Sequence, residues 1–248
     1  MKVVTHSTFH VVYNTDPAAS PGRIEAVLEA IEHEVEIIPA MSARKEDIEA
    51  VHTGFHIGHV TRLGLYDIAA LAAGGAVQAA RTGLSEPCFA LVRPPGHHAY
   101  PNASYGYCFF NNMAVAVEHL RREGLIRKVF VLDFDLHYGD GTEAILRERG
   151  CAILCNPRAR ERRAYLDEIE AALSRLDVDF IAVSAGFDNH VLDWGGLLQS
   201  EDYGHIGRLV HGACQRFGIG CFAVLEGGYH RQALEESVPA FLRALNGG

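Results

Sequence analysis

The sequence predicts an α/β fold: one domain with a central, mostly parallel sheet sandwiched by helices. Three observations carry that expectation. Strand-like and helix-like stretches alternate along the chain, the strand-like stretches are apolar throughout, and the clusters of polar, chemistry-competent residues fall just after strands. Continuously apolar strands belong to a sheet covered on both faces, and ligand sites in open parallel sheets lie beyond the carboxyl ends of the strands. The 248 residues, 48% hydrophobic and 21% charged, suffice for one such domain with a large core. No linker, repeat or low-complexity run divides residues 1–248.

Taken in order, Lys2 to Thr5 reads as a short strand and Asp16 to Gly22 as a loop. Arg23 to His33 has helical spacing, with Ile24, Val27, Leu28 and Ile31 on one face. Val35 to Ile38 alternates like a strand and stops at Pro39. Ser42 fits a helix N-cap, with Lys45 to Val51 continuing helically. The segment His52-Thr53-Gly54-Phe55-His56-Ile57-Gly58-His59 would share three histidines on one face if helical. Gly54 and Gly58 argue for a surface or rim loop instead, and no carboxylate accompanies the histidines as a metal set would want. Tyr66 to Arg81 is rich in Ala and Leu and reads as a buried helix. Its Gly74-Gly75 pair predicts close packing, since glycine costs an isolated helix about 1 kcal/mol per residue. Cys88 to Val92 is an apolar strand, Asn112 to Arg122 a helix, and Lys128 to Leu132 a buried strand. A helix around Glu143 to Glu148, the strand Cys151 to Cys155 and the helix Arg163 to Leu176 follow. The strand Phe180 to Ser184, the helix Asp202 to Phe217, the strand Gly220 to Leu225 and a closing helix Val238 to Leu245 complete the pattern.

Four strand ends carry the polar clusters: His97-His98, Asp133 to Asp140, Asp188 and Tyr229. In Leu132-Asp133-Phe134-Asp135-Leu136-His137, three metal-competent side chains stand at alternate positions, which face one way on an extended chain. Gly139 and Gly141 bracket Asp140 in a tight turn. Asp135 and His137 together with Asp188 make a two-carboxylate, one-imidazole set of the kind that holds zinc and leaves a coordination position open. The alternative is a polar strand end with capping carboxylates. His97 and His98 follow the stiff turn Pro94-Pro95-Gly96, which pre-positions two imidazoles for acid–base work or leaves them as an exposed turn. Each would want a carboxylate on its far nitrogen, and Asp133 and Asp140 are left over for that use. Tyr229, after Gly227-Gly228, would donate a hydrogen bond to a carbonyl oxygen or an oxyanion, against a purely structural turn. Tyr107 or Phe109, in Tyr105-Gly106-Tyr107-Cys108-Phe109-Phe110, would wall an apolar channel or pack in the core.

Together these residues resemble the zinc-dependent histone deacetylase and acetylpolyamine amidohydrolase family, of the arginase–deacetylase fold. The matching stretches are Arg93-Pro-Pro-Gly-His-His-Ala99, Gly106-Tyr-Cys-Phe-Phe-Asn-Asn112, Leu132 to Thr142, Ser184-Ala-Gly-Phe-Asp188 and Glu226-Gly-Gly-Tyr229, in the family's order. The resemblance implies that Asp135, His137 and Asp188 hold Zn2+, with Fe2+ as the other candidate. It implies that His97 and His98 are the tandem catalytic histidines, with Asp133 and Asp140 as their carboxylate partners. Tyr229 polarises the scissile carbonyl, and Gly106 and Tyr107 line the acyl channel, where the family usually has Phe at the second position. A monovalent cation such as K+ would bind partly through the backbone carbonyls of Asp133, Asp135 and His137. The implied reaction is hydrolysis of an N-acyl amide, on acyl-lysine or an acylated polyamine or other small amine, to a carboxylate and a free amine.

The chain is a short, loop-trimmed version of that pattern. Cys155-Asn156-Pro157-Arg158-Ala159-Arg160 runs almost directly into a helix, and Asn156 falls near the family's small cation-site residue. The expected channel is therefore shallow and open, or completed by a second copy of the chain. A non-catalytic metal-binding, acyl-recognition protein is the alternative from another class. A ureohydrolase with a two-manganese site would need further carboxylate ligands that no motif supplies.

The remaining properties narrow the partners. A net charge of −9 disfavours general attraction to nucleic acid or an anionic membrane. None of the six cysteines forms a Cys-x-x-Cys pair, and most lie in apolar surroundings, as expected of reduced thiols in a cytoplasmic protein. The start of the chain has no apolar signal region, and no apolar run reaches membrane-spanning length.

Overall fold

The computed structural model describes all 248 residues. Seven strands build one sheet: β1 (Lys2–Thr5), β2 (Glu36–Pro39), β3 (Cys88–Ala90), β4 (Val129–Asp133), β5 (Ala152–Cys155), β6 (Phe180–Ala185) and β7 (Gly220–Leu225). Their spatial order is β2-β1-β3-β7-β6-β4-β5, and every pair is parallel. All residues of β3, β4 and β6 are buried, which is why these strands are apolar at every position rather than alternating.

Nine helices connect the strands: α1 (Arg23–Ile31), α2 (Lys45–Glu49), α3 (Gly54–Arg62), α4 (Tyr66–Thr82), α5 (Asn112–Arg122), α6 (Asp140–Glu148), α7 (Arg162–Leu173), α8 (Ser200–Phe217) and α9 (Arg231–Leu245). They form two layers. Helix α4 packs on α5 and α5 on α6, while α8 packs on α9 and α7, and α9 on α1. Gly74 and Gly75 let α4 press against its neighbours. A Cβ on Gly74 would stand 2.0 Å from the Met41 carbonyl oxygen, and one on Gly75 2.8 Å from Val92 Cγ1.

The strand order explains why distant motifs meet. Strands β3, β7, β6 and β4 lie side by side, so the segments after them, beginning near residues 91, 226, 186 and 134, share one edge of the sheet. From β3 the chain crosses to β4 and later fills the gap with β6 and β7, which is the topological reversal that opens a crevice.

Several expectations need correction. The histidine segment 52–59 is not a surface loop. Thr53 caps α3 by accepting the His56 N–H, so Gly54 is the first helical residue and Gly58 lies within the helix. His52 and His56 are 3% and 1% exposed, tied to the loop that precedes α5. His52 Nε2 accepts the Asn111 N–H at 2.9 Å and Nδ1 lies 3.0 Å from the Tyr100 carbonyl, while His56 Nε2 lies 2.7 Å from the Phe109 carbonyl. Asp140 opens α6 rather than sitting in a glycine turn, its carboxylate favoured by the helix N-terminus. Helix α2 is flanked by Arg44, not capped by Ser42. Helix α9 begins at Arg231, capped by His230, and carries Pro239 inside it.

Candidate active site

Strand β4 ends at Asp133, so Asp135 and His137 are not on a strand. The short turns that follow keep them together all the same. Asp133 Oδ1 accepts the Asp135 N–H at 3.1 Å, and Asp135 Oδ1 accepts the His137 N–H at 2.9 Å. Asp188 arrives from beyond β6, its Oδ1 accepting the Leu136 N–H at 3.0 Å. The Gly227 N–H, from beyond β7, donates to Asp135 Oδ2 at 2.7 Å. Ligand atoms of Asp135, His137 and Asp188 lie within 4.8 Å of one another.

This set fits a divalent cation. Two carboxylates are almost fully buried side by side, an arrangement that repels itself without a positive charge between them. Asp188 Oδ2 is buried, and although it lies 2.9 Å from His137 Nδ1 no hydrogen bond reaches it. Burial and the Asp135 charge push Asp188 up to about 7. The Asp135 and Asp188 carboxylates beside it push His137 up to about 10. Glycine is required around the set: a Cβ on Gly186 would fall 2.0 Å from Asp135 Oδ2, and one on Gly227 2.5 Å from the same oxygen and 2.6 Å from Asp188 Oδ2. His97, Cys108 and Glu226 also cluster within 4.8 Å. Glu226 is committed to the Gly96 N–H, the His97 N–H and the Ser184 hydroxyl. Burial raises the Cys108 thiol well above its usual range and keeps it protonated, so this second group is a poor metal set.

The tandem histidines sit beyond β3, buried and with ring centroids 4.1 Å apart. His97 Nδ1 is 3.1 Å from Asp133 Oδ2 and His98 Nδ1 is 2.9 Å from Asp140 Oδ1. Donation from both Nδ1 atoms leaves both Nε2 atoms for the cleft. The two rings differ electrostatically. Burial opposes a charge on His97, but Asp135 and Asp133 outweigh it and raise this histidine. Burial and the positive charge on His97 lower His98, with Asp140 opposing them.

Tyr229 follows β7 at the same edge. Its N–H donates to Asp193 Oδ2 at 2.6 Å, and burial followed by the Asp135 charge holds its phenol protonated. The cleft between these groups is about 240 Å³, walled by Tyr107, Trp194 and Tyr229 above His97, His98 and His137. Gly106 approaches His98 so closely that a Cβ would lie 2.3 Å from its Cδ2. Tyr107 is the one non-glycine residue with a left-handed backbone (φ 66°), and its ring meets Tyr229 edge-on at 6.0 Å. Phe109 instead packs in the core beside Ile48, Val60 and Phe110. The cleft is open, as the shortened loops suggested: the side chain of His137 is 40% exposed.

The structure adds residues to which sequence reasoning gave no role. Tyr105 stacks on His98 at 4.5 Å and its hydroxyl donates to the second oxygen of Asp140. Trp194, the single tryptophan, stacks on Tyr229 at 4.3 Å and meets His137 edge-on at 5.9 Å. Buried Arg23 donates to the carbonyls of Gly228 and Glu226 at 2.7 and 2.6 Å, bracing the segment before Tyr229. A lone Trp in Asp193-Trp-Gly-Gly196 and a Tyr directly before Gly106 were the available signals.

Known proteins resemble this chain in sequence and in fold. A profile of the histone deacetylase domain matches residues 59–156 and 156–245. A protein of Methanothermobacter thermautotrophicus named probable deacetylase is 32% identical, the match covering 99% of this chain and 91% of that protein. That alignment is 304 positions long against a chain of 248 residues, so the archaeal protein carries long insertions between matched segments. The human polyamine deacetylase HDAC10 is 31% identical over 73% of this chain and 34% of its own length. The histone deacetylase-like amidohydrolase of Pseudomonas aeruginosa is 31% identical over 67% of this chain and 54% of its own length. Among solved structures, the HDA15 HD domain superposes with a TM-score of 0.85 at 23% identity, covering all of this chain and 91% of that one.

Proposed function

The chain belongs to the histone deacetylase family, and on that premise we propose that it is a metal-dependent deacetylase. In this reading its single domain, residues 1–248, hydrolyses an N-acyl amide to a carboxylate and a free amine. The observation that carries the reading is convergence: four adjacent strand ends bring two buried aspartates with a half-exposed histidine, two carboxylate-backed histidines and a half-buried phenol to one cleft and its floor.

Asp135, His137 and Asp188 hold the divalent cation, Zn2+ or Fe2+. Bound there, it supplies electrophilic polarisation of a carbonyl and acidification of a water. His98, kept neutral by burial, accepts the proton of the attacking water at Nε2, and the Asp140 carboxylate stabilises the imidazolium that forms. His97, backed by Asp133 at 3.1 Å, supplies a proton for the leaving amine. The Tyr229 hydroxyl donates to the carbonyl oxygen, a bond that strengthens as negative charge develops there. Gly106 and Tyr107 flank the acyl group. The Asp135 and His137 carbonyls accept no hydrogen bond within the chain, which suits a monovalent cation such as K+; Asn156 Oδ1 sits close by, taking the Gly139 N–H at 3.0 Å.

The substrate is an acylated small amine or an acyl-lysine, and an open cleft without a deep tunnel admits either. No helix is long and apolar enough to cross a membrane. The test is hydrolysis of an acyl-amide panel by the metal-loaded protein beside Tyr229→Phe and His98→Ala. Turnover by the wild type with losses of about 100-fold or more in both variants is expected. No turnover of any amide, or variants equal to wild type, overturns the reading.

A further inference from the structure

Beside the cleft lies a second, larger cavity, about 540 Å³, which reaches Asp135 and Asn156 at its inner end and is otherwise lined by groups the proposed chemistry does not use. It opens at the same edge of the sheet, beyond β4, β5 and β6. Its lining includes Leu136 and Tyr138, which flank His137, and Gly195, which follows Trp194. The His137–Trp194 ring pair, 5.9 Å between centroids, therefore stands as the wall between the two spaces.

The second cavity is cationic where it meets solvent. Four arginines lie within residues 158–163 of the shortened segment after β5. Arg162 is spent on Asp202 and Glu201, and Arg163 on Asp167. Arg158 and Arg160 line the cavity, and neither guanidinium has an ion-pair partner. Arg158 stacks over the Tyr138 ring at 4.4 Å, and its backbone N–H donates to Glu168 at 2.7 Å. That arrangement orients the guanidinium while leaving its donors free.

Three carboxylates near the rim are, by contrast, engaged. Asp193 accepts the N–H groups of Trp194, Tyr229 and His230. Asp140 serves His98 and Tyr105, and Glu143 serves Tyr138 and Arg147. A second ammonium group of a polyamine entering this cavity would face two unpaired arginines.

We propose that Arg158 and Arg160 form a subsite for an anionic group, carboxylate or phosphate, carried on the amine side of the substrate. The inference rests on the deacetylase reading and narrows its substrate class: an N-acyl amine with a negative charge a few bonds from the scissile amide, not an acylated polyamine. Planar guanidinium pairs match both oxyanions bidentately.

The test uses metal-loaded protein and acetamides that differ only in the remote group: N-acetylbutylamine, N-acetylputrescine, N-acetyl-4-aminobutyrate and N-acetyl-3-aminopropylphosphonate. Wild type should favour the two anions over the cation by about tenfold or more in kcat/KM, with the difference in KM and reduced by added salt. Whichever anion leads identifies the oxyanion. In Arg158→Ala/Arg160→Ala the anion-to-neutral ratio should fall by about tenfold, and in Arg158→Glu/Arg160→Glu the cation should overtake the anions. Both arginines are exposed, and turnover of the neutral amide reports an intact cleft. Preference for N-acetylputrescine in the wild type, or ratios unmoved by either double variant, overturns the subsite. Absence of turnover on every amide overturns the deacetylase reading instead, so the two failures are distinguishable.

Discussion

Replacing Asp140 by Asn tests the acid–base assignment most sharply. The carboxylate faces the imidazole of His98 across a 2.9 Å bond. At roughly 4 Å between charge centres and an effective dielectric of about 20, attraction to the imidazolium is about 4 kcal/mol. The Asp140 side chain is 26% exposed, and screening brings this toward the 1.5–3 kcal/mol typical of bonds to charged groups. An asparagine keeps the shape and the helix start while removing the charge. The expected loss in kcat is roughly 10- to 100-fold. The sign of the pH effect is fixed as well. Burial and His97 already lower His98, and only carboxylates, Asp140 foremost, oppose them. With Asp140 neutral, His98 gives up its proton at lower pH, so the acid limb of kcat/KM should move down by about one unit or more. Tyr105→Phe, which removes a phenol from Asp140 and leaves its charge, should slow turnover less and move the limb little. The assay is the pH dependence of acetamide hydrolysis. An unmoved limb with a rate within about twofold of wild type would refute the role of Asp140, and with it the assignment of His98 as base.

Two further perturbations probe the frame around the site. Burial holds His52 down to about 3; the unfolded chain therefore binds the extra proton first as pH falls below about 6.5, and stability drops by about 2 kcal/mol between pH 7 and 5 from this residue. Denaturant unfolding of His52→Asn should show a pH 7 to pH 5 difference smaller than wild type by about that amount, and an equal difference would contradict neutral burial. Gly186→Ala places a methyl 2.0 Å from Asp135 Oδ2 and 2.5 Å from Asp135 Cα, so the backbone itself must move. Competition against a chelator should then show metal affinity reduced by about 10- to 100-fold, and wild-type affinity would mean the glycine is not part of the cradle.

The sheet and the principal site residues were legible because each depends on local composition. Fully buried parallel strands must be apolar, and groups placed directly after four such strands meet once the strands are neighbours. Asp133 and Asp135 illustrate the limit. Their alternate spacing put them on one face, yet the strand ends at Asp133, and it is the side-chain-to-backbone bonds Asp133–Asp135 and Asp135–His137 that keep the group together. The histidine segment 52–59 was misread because helix propensity weighed Gly54 and Gly58 as breakers, while the Thr53 cap and the bonds from His52 and His56 to the segment before α5 decide the matter. Tyr107, with its left-handed backbone, meets Tyr229, whereas Phe109 packs in the core beside Phe110, a difference that two aromatic residues so close in sequence do not announce. Tyr105, Trp194 and Arg23 touch the site through partners far along the chain, which no local pattern encodes.

The central claim is that Asp135, His137 and Asp188 hold the metal on which amide hydrolysis depends. Metal content and acetamide turnover measured on the same samples test it directly: wild type as isolated, after chelation, after return of Zn2+ or Fe2+, and Asp188→Ala carried through the same steps. The account predicts that turnover disappears with the metal, returns in proportion to it in the wild type, and that Asp188→Ala neither retains metal stoichiometric with the chain nor recovers. Hydrolysis that survives chelation, or full metal content in Asp188→Ala, would contradict it.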